Sequence, residues 1–261
     1  MSRLRLTHVS TRLILVAALL LLILVAAGTS LALGLRAGRH ADSPQVTGLT
    51  SDRAVPPLSL VDEHGRPASF AAYRGRVVVF APFLTLCSEV CPITTGALLQ
   101  VQRAVARAGL AGRVVVAEVS VDPWRDTPKR LRAYARRTGV RFPLFTGSLA
   151  QLKRFWSFSG VGFEKVPQGK PPDRDWLTGK PLTFDVTHTD GVFFLDPSGH
   201  EKLLIVGMGS TGGKLPGRLE SLLSSSGLAN LEHPEQAWTV PQVLGDIGHL
   251  LGGRRIPIAD R

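Results

Sequence analysis

The only two cysteines of this 261-residue chain lie four positions apart, at Cys87 and Cys91. They follow a short apolar run rich in β-branched residues and stand where a pattern with helical spacing begins. In the first turn of a helix, exposed backbone N–H groups and the helix dipole favour thiolate over thiol. Side chains at positions i and i+4 also share a face. The two sulfurs can therefore react with each other or bind one ion.

This cysteine pair leaves three interpretations open. A stabilising disulfide would contribute only about 2 kcal/mol, because it would close a very short loop. A thiol–disulfide oxidoreductase would use the pair as its redox centre. A metal site would use two soft thiolates that suit Cu(I), and an added imidazole would also hold Cu(II). Two cysteines are too few for a zinc ribbon or an iron–sulfur cluster.

Among the seven histidines, His188 is the candidate for such an imidazole. It lies in Asp185-Val186-Thr187-His188-Thr189, just ahead of an apolar run at 192–195 that predicts a buried strand. In an α/β sheet, this position could bring it to the same edge as the cysteine loop. The alternative is an ordinary solvated loop histidine, and the spacing alone leaves both interpretations open.

The elements that must position these residues form an α/β pattern of mixed strand direction. The sequence predicts, in order, a β-hairpin (58–70), a strand (77–80), a helix (93–108), a strand (114–121), a helix (128–137), a short strand (144–145), a helix (148–158), a loop (159–184), a second hairpin (192–206) and a last helix (240–251). Asp126-Thr127-Pro128 is expected to cap the helix that follows it. We assign residues 57–261 to this domain and residues 37–56, which are polar and contain Pro, Gly and Ser, to a linker.

Residues 1–36 are predicted to form an N-terminal membrane anchor. The stretch 13–35 carries no charge and is long enough, as a helix, to cross the roughly 30 Å hydrocarbon core. A cleaved signal peptide is the alternative, but its apolar region is usually shorter. The expected location is the bacterial inner membrane, with a single pass and an extracytoplasmic domain. Several arginines flank the apolar stretch, so the net charge of +11 overstates how basic the domain is, and we expect no nucleic-acid binding.

Three ordered motifs resemble the SCO/SenC copper-chaperone family, in which a thioredoxin-like domain follows a single anchor. They are Cys87-Ser88-Glu89-Val90-Cys91-Pro92, the stretch from Val119 to Pro128 that contains Asp122-Pro123-Trp124-Arg125-Asp126, and the His188 segment that runs into Phe194-Leu195-Asp196-Pro197-Ser198-Gly199. The resemblance implies a thioredoxin-like mixed sheet flanked by helices. It also implies a copper site formed by Cys87, Cys91 and His188.

The same resemblance implies a metallochaperone that receives Cu(I) or Cu(II) from a copper donor. Its recipient would be the binuclear copper centre of cytochrome c oxidase subunit II or a related copper protein. The main alternative is a dedicated thiol–disulfide reductase that acts on extracytoplasmic cysteines. A redoxin-type peroxidase is disfavoured, because no motif for an activated peroxidatic cysteine precedes Cys87.

The chain departs from the family pattern at several positions. Family members usually carry Asp immediately before the ligand histidine, whereas here the residue is Thr187 and the nearest preceding carboxylate is Asp185. The residue after the first cysteine is Ser88 rather than Pro, and residues 207–234 form a longer connection than is usual. The first departure removes the carboxylate that family members place immediately before the ligand histidine, where it could orient the imidazole.

Overall fold

The computed structural model describes residues 48–57, 59–235 and 237–257. In chain order the strands are β1 (Leu49–Ala54), β2 (Leu60–Asp62), β3 (Pro67–Ala68), β4 (Val77–Phe83), β5 (Val114–Ser120), β6 (Leu144–Thr146), β7 (Phe163–Val166), β8 (Asp185–His188), β9 (Gly191–Leu195), β10 (His200–Val206), β11 (Gly209–Ser210) and β12 (Trp238–Thr239). The helices are α1 (Cys91–Arg107), α2 (Pro128–Thr138), α3 (Leu149–Ser159), α4 (Gly217–Glu220), α5 (Ser225–Glu232) and α6 (Val240–Leu250).

The main sheet has eight strands in the order β1-β10-β9-β4-β5-β6-β2-β3. Strands β4, β5 and β6 are parallel, whereas β9 and β10 continue the sheet in antiparallel fashion beyond β4. Helix α1 connects β4 to β5, and α6 follows the β9–β10 hairpin. This is the thioredoxin-like arrangement expected from the sequence. The predicted N-terminal hairpin is confirmed as β2 and β3, and it pairs with β6.

The direction of β9 brings two distant parts of the chain to one end of the sheet. Because β9 runs antiparallel to β4, its first residue lies at the end where β4 finishes. The cysteines follow β4, and the His188 segment precedes β9. The expectation that these two segments share a sheet edge is therefore confirmed.

Local sequence signals account for how the helices around the sheet begin and end. Thr127 accepts a hydrogen bond from the Arg130 N–H and caps the N-terminus of α2. Gly139, in the left-handed conformation at φ 79°, caps its C-terminus. Ser148 and Gln151 form a reciprocal capping box on α3. The predicted start of α2 at Thr127-Pro128 is thus confirmed, with Thr127 rather than Asp126 as the cap.

The core lies against β4, β5 and β9, whose residues are all buried. An aromatic cluster fills one side of it, with Phe80 stacked on Phe193 at a centroid distance of 5.3 Å and Phe155 set edge-on to Trp156 at 4.9 Å. Such stacked and edge-on pairs stabilise a core beyond their buried area. The site segments therefore start from strands that are rigidly packed.

Four sequence assignments need correction or lie outside the described ranges. The proposed linker, residues 37–56, contains β1, which pairs with β10 at the edge of the sheet. The predicted loop 159–184 contains β7, and His188 belongs to a strand, β8, rather than to a loop. The predicted anchor, residues 1–36, is not among the described residues. In the part of the chain that the structure describes, no helix is both long and apolar enough to cross a membrane.

Candidate metal centre

The cysteine loop places one sulfur at the N-terminus of α1. The Sγ of Cys87 accepts hydrogen bonds from the backbone N–H groups of Cys91, at 3.3 Å, and Val90, at 3.5 Å. The helix has no side-chain cap from its N-cap residue, Val90, so the sulfur satisfies donors that would otherwise lack partners. This is the thiolate-favouring position that the sequence predicted for the pair.

The two thiols are chemically unequal. A hydrogen bond from Cys91, together with backbone N–H donors, lowers the pKa of Cys87. Burial raises the pKa of Cys91 well above its ordinary value, and the adjacent Cys87 raises it further. Both are free cysteines, with Cys91 only 1% exposed. Cys87 is therefore the first of the two to become a thiolate, and it is also the more accessible.

The imidazole of His188 brings a nitrogen donor close to the cysteine sulfurs. Its Nε2 lies 4.0 Å from the Sγ of Cys91, and its side chain is 5% exposed. Its Nδ1 lies 3.2 Å from the carbonyl oxygen of Thr189. A carbonyl can only accept, so Nδ1 is the donor in this contact, and Nε2 is the ring nitrogen that faces the sulfur.

A carboxylate near His188 comes from a residue that the sequence analysis did not identify. Asp190 Oδ1 lies 3.5 Å from the His188 Nδ1. Burial raises the pKa of Asp190, and the imidazole opposes that shift. Thr187, which occupies the position where the family usually has Asp, is exposed. Asp185 instead accepts a hydrogen bond from the adjacent Val186 N–H.

The donor set fits a thiophilic transition metal. Metal–sulfur and metal–nitrogen bonds of about 2.3 Å and 2.0 Å add up to more than the Cys91–His188 separation, so one ion can contact both atoms where they stand. Within the described ranges, however, no group of three or more His, Cys, Asp or Glu side chains is already arranged to hold an ion. The Cys87 sulfur beside them accepts hydrogen bonds from the N-terminus of α1.

A buried carboxylate ties the cysteine loop to the loop after β5. Asp126 accepts hydrogen bonds from the Thr85 hydroxyl at 2.5 Å and from the Ser120 hydroxyl at 2.6 Å. Burial, with the nearby charge of Asp122, raises the pKa of Asp126 to about 7. Asp122 pairs with Arg125 at 2.5 Å. Both acids are therefore engaged by residues of these loops.

The comparisons with known proteins identify the family of this chain. A family model described as SCO1/SenC matches residues 47–211, which is more than half of the chain. The chain therefore belongs to the SCO1/SenC family.

Individual relatives are similar at lower levels of identity. A Stutzerimonas stutzeri protein named for copper binding is 28% identical over 226 residues, which cover 86% of this chain and 93% of that protein. The mitochondrial SCO2 homolog of Bos taurus is 31% identical over 52% of this chain and 50% of its own length. A structure of Bradyrhizobium japonicum ScoI with copper bound is 22% identical, with a TM-score of 0.49 over 69% of this chain and 98% of that chain.

Proposed function

We propose that this protein is a membrane-anchored copper metallochaperone that delivers copper to the binuclear centre of cytochrome c oxidase subunit II or a related copper protein. The observation that carries the proposal is the convergence of Cys91 Sγ and His188 Nε2 at 4.0 Å beside the Cys87 sulfur. Membership in the SCO1/SenC family and the name of the Stutzerimonas stutzeri relative support copper as the cargo.

The chemistry of the site suits binding and release of copper in either oxidation state. Two thiolates hold Cu(I), and the imidazole of His188 adds a donor that stabilises Cu(II). Each thiol must lose its proton when it binds. Cys87, whose pKa is lowered, binds first, and Cys91 follows at greater cost because burial favours its neutral form. An acceptor then takes the ion by exchanging ligands one at a time.

The anchor and location belong to the same proposal. The uncharged stretch 13–35 would hold the protein in the bacterial inner membrane, and the domain would face the extracytoplasmic side, where an oxidase copper centre is assembled. The full chain should then stay with the membrane fraction after an alkaline wash. Release of the intact chain by that wash would contradict the anchor without affecting the copper proposal.

Copper stoichiometry of the domain tests the site directly. The wild-type protein should bind one copper per chain, and variants lacking Cys87 or Cys91 should lose it. His188→Ala should lose Cu(II) while keeping weaker Cu(I) binding, measured by elemental analysis and electron paramagnetic resonance. His249→Ala, an exposed position on α6, is the matched control and should bind normally. Unchanged binding of both oxidation states in His188→Ala would remove His188 from the site.

A dedicated thiol–disulfide reductase is the second candidate, and the inequality of the two thiols favours it. An accessible cysteine of lowered pKa beside a buried one suits attack on a partner disulfide followed by resolution. This activity should survive His188→Ala, whereas delivery of Cu(II) should not. A Cys87–Cys91 potential far below the range of about −120 to −270 mV for known oxidoreductases would argue against it.

A further inference from the structure

The loop that carries the cysteines is covered from two sides by segments far away in the sequence. One is the cover segment, residues 217–232, which contains α4 and α5. The other is the tryptophan loop, residues 167–182. Both meet at Ser88, the residue that stands between the cysteines where the family usually has Pro.

The cover segment lies directly on the backbone of the cysteine loop. The backbone N–H and the hydroxyl of Ser224 both donate to the Ser88 carbonyl oxygen, at 2.8 and 3.1 Å. The approach is close enough to require a glycine. A Cβ at Gly227 would lie 2.3 Å from the Ser88 carbonyl oxygen and 3.2 Å from the Cα of Glu89. The departures at Ser88 and in the long 207–234 connection are thus parts of one contact.

The tryptophan loop closes the other side. The Ser88 hydroxyl donates to Asp173 at 3.2 Å, and the Trp176 indole N–H donates to the Thr85 carbonyl oxygen at 2.6 Å. The loop is held on α2 by a bidentate pair between Arg130 and Asp175, at 2.9 and 2.7 Å. Both partners of that pair are mostly buried, so the loop is firmly anchored.

A narrow cleft of about 200 Å³ remains between the two segments, and Cys87 forms part of its lining. One wall is formed by Asp173, Arg174 and Trp176, and the other by residues 221–224. The volume is below the roughly 300 Å³ at which pockets for drug-sized ligands begin. A side chain on a thin loop fits such a space, whereas a flat protein surface does not.

We propose that the cover segment makes access to Cys87 selective by size, so that the acceptor reaches this sulfur with a single thiol carried on a narrow protruding loop. The incoming thiolate displaces Cys87 from the ion, and Cys87 takes up the proton that the incoming thiol released. His188 borders a separate opening of about 460 Å³, so the restriction applies to the Cys87 side of the site. The identity of the cargo rests on the proposed function, but the access itself can be tested without copper.

The experiment compares two thiol reagents of different size on the metal-free, reduced protein. Cys87 is alkylated in separate reactions by iodoacetamide and by a maleimide that bears a polyethylene glycol chain. Peptide mapping measures the rate of each reaction. Each rate is divided by the rate for the same chain unfolded in urea. The folded wild-type protein should disfavour the bulky reagent at least tenfold more than the small one. Equal ratios for the two reagents would overturn the proposal.

Gly227→Ala should push the cover segment off Ser88, because its Cβ meets a backbone oxygen that cannot move aside cheaply. The bulky reagent should then react at least tenfold faster, with less than a twofold change for the small one. Gly217→Ala is the matched control, because nothing lies within 4 Å of its Cβ.

If Gly227→Ala does not fold, the pair Ser224→Ala and Asp173→Ala, which removes the side-chain contacts to Ser88, decides the question. No change in the bulky rate in a folded variant would show that the segment is not the filter. Copper stoichiometry, measured separately, reports on the proposed function alone.

Discussion

The orientation of a single imidazole depends on which neighbouring residues can reach its Nδ1. In His188 this atom faces the Thr189 carbonyl oxygen and, slightly further away, the Asp190 carboxylate. Histidine ligands in proteins commonly have such a partner, which fixes the ring and raises the basicity of the ligating nitrogen. In the proposed copper site, Asp190 is therefore the residue through which this chain can tune its metal affinity without changing a ligand.

Asp190→Asn should weaken Cu(II) binding by roughly tenfold, because loss of the charge beside Nδ1 makes Nε2 a poorer donor. Cu(I) binding, which rests on the two sulfurs, should change less. Both can be measured by competition with chelators of known affinity. Asp185→Asn is the control, since that carboxylate bonds to the Val186 N–H and should have little effect. A larger effect at Asp185 than at Asp190 would reverse this assignment.

The sequence identified both cysteines and His188 as candidates, but for the orienting carboxylate it showed only that Thr187 stands where the family usually has Asp, with Asp185 as the nearest acid before it. The structure explains this failure. Because His188 lies in β8, the residue before it points to the opposite face of the strand. Asp190 lies just beyond the strand, two positions after His188, and its carboxylate reaches the imidazole. Because the sequence predicted a loop at His188, the two-residue alternation of a strand could not be used to relate Asp190 to it.

At the scale of elements, the site depends on how firmly two loops at the ends of β4 and β5 are joined. The Asp126 carboxylate binds the Thr85 backbone and hydroxyl on one side and the Ser120 hydroxyl on the other. All of these groups are buried, so water cannot replace a lost partner. Removal of one donor therefore leaves a buried carboxylate under-satisfied, which is costly.

Thr85→Val should lower the free energy of unfolding by about 1–3 kcal/mol, the usual cost of an unmet buried acceptor. The loss should be larger above pH 7, because the pKa of Asp126 lies at about 7 and its ionised form needs the donor more. Urea unfolding at pH 6 and pH 8 would measure both effects. Thr187→Val, an exposed position on β8, should change stability by less than about 0.5 kcal/mol.

The elements that the sequence predicted well are those with a buried face. The apolar runs of β4 and β5 and the helical spacing of α1 are strong signals, because every residue of those strands is buried. Two of the strands that it missed, β1 and β7, contain no buried residue and carry polar residues on both faces. Edge strands of this kind owe their shape to pairing with a neighbour, which a local pattern does not reveal.

At the scale of the whole molecule, one acid is buried in the middle of the sheet. Glu118 on β5 is fully buried and accepts a hydrogen bond from the Thr95 hydroxyl at 2.7 Å, while its second oxygen has no partner. Burial raises its pKa from 4.5 to about 8, and the Thr95 hydroxyl only partly opposes this. The folded protein therefore holds a proton at neutral pH that the unfolded chain releases.

The stability of the protein should consequently fall as pH rises from about 4.5 to 8, because in that range the folded state binds more protons than the unfolded state. Glu118→Gln has no proton to lose. The unfolding free energy of this variant minus that of the wild type should therefore rise by a few kcal/mol across this pH range, because each unit of pKa shift corresponds to 1.36 kcal/mol. Urea unfolding at pH 5 and pH 8.5 gives the difference. A constant offset between the two proteins would show that Glu118 does not titrate there.

Strand β1 has a practical consequence for anyone who labels this protein. It begins at Leu49 beside Leu204, at the end of the sheet that holds the cysteine loop. A fluorescent protein fused directly before β1 would therefore crowd the approach to the sulfurs. Helix α6 begins near that same end, because it follows β12, which pairs with β11, and the Gly209 N–H of β11 donates to Thr94 near the start of α1. The 11 residues of α6 then extend about 16 Å from there. A reporter attached beyond α6 would leave the approach clear.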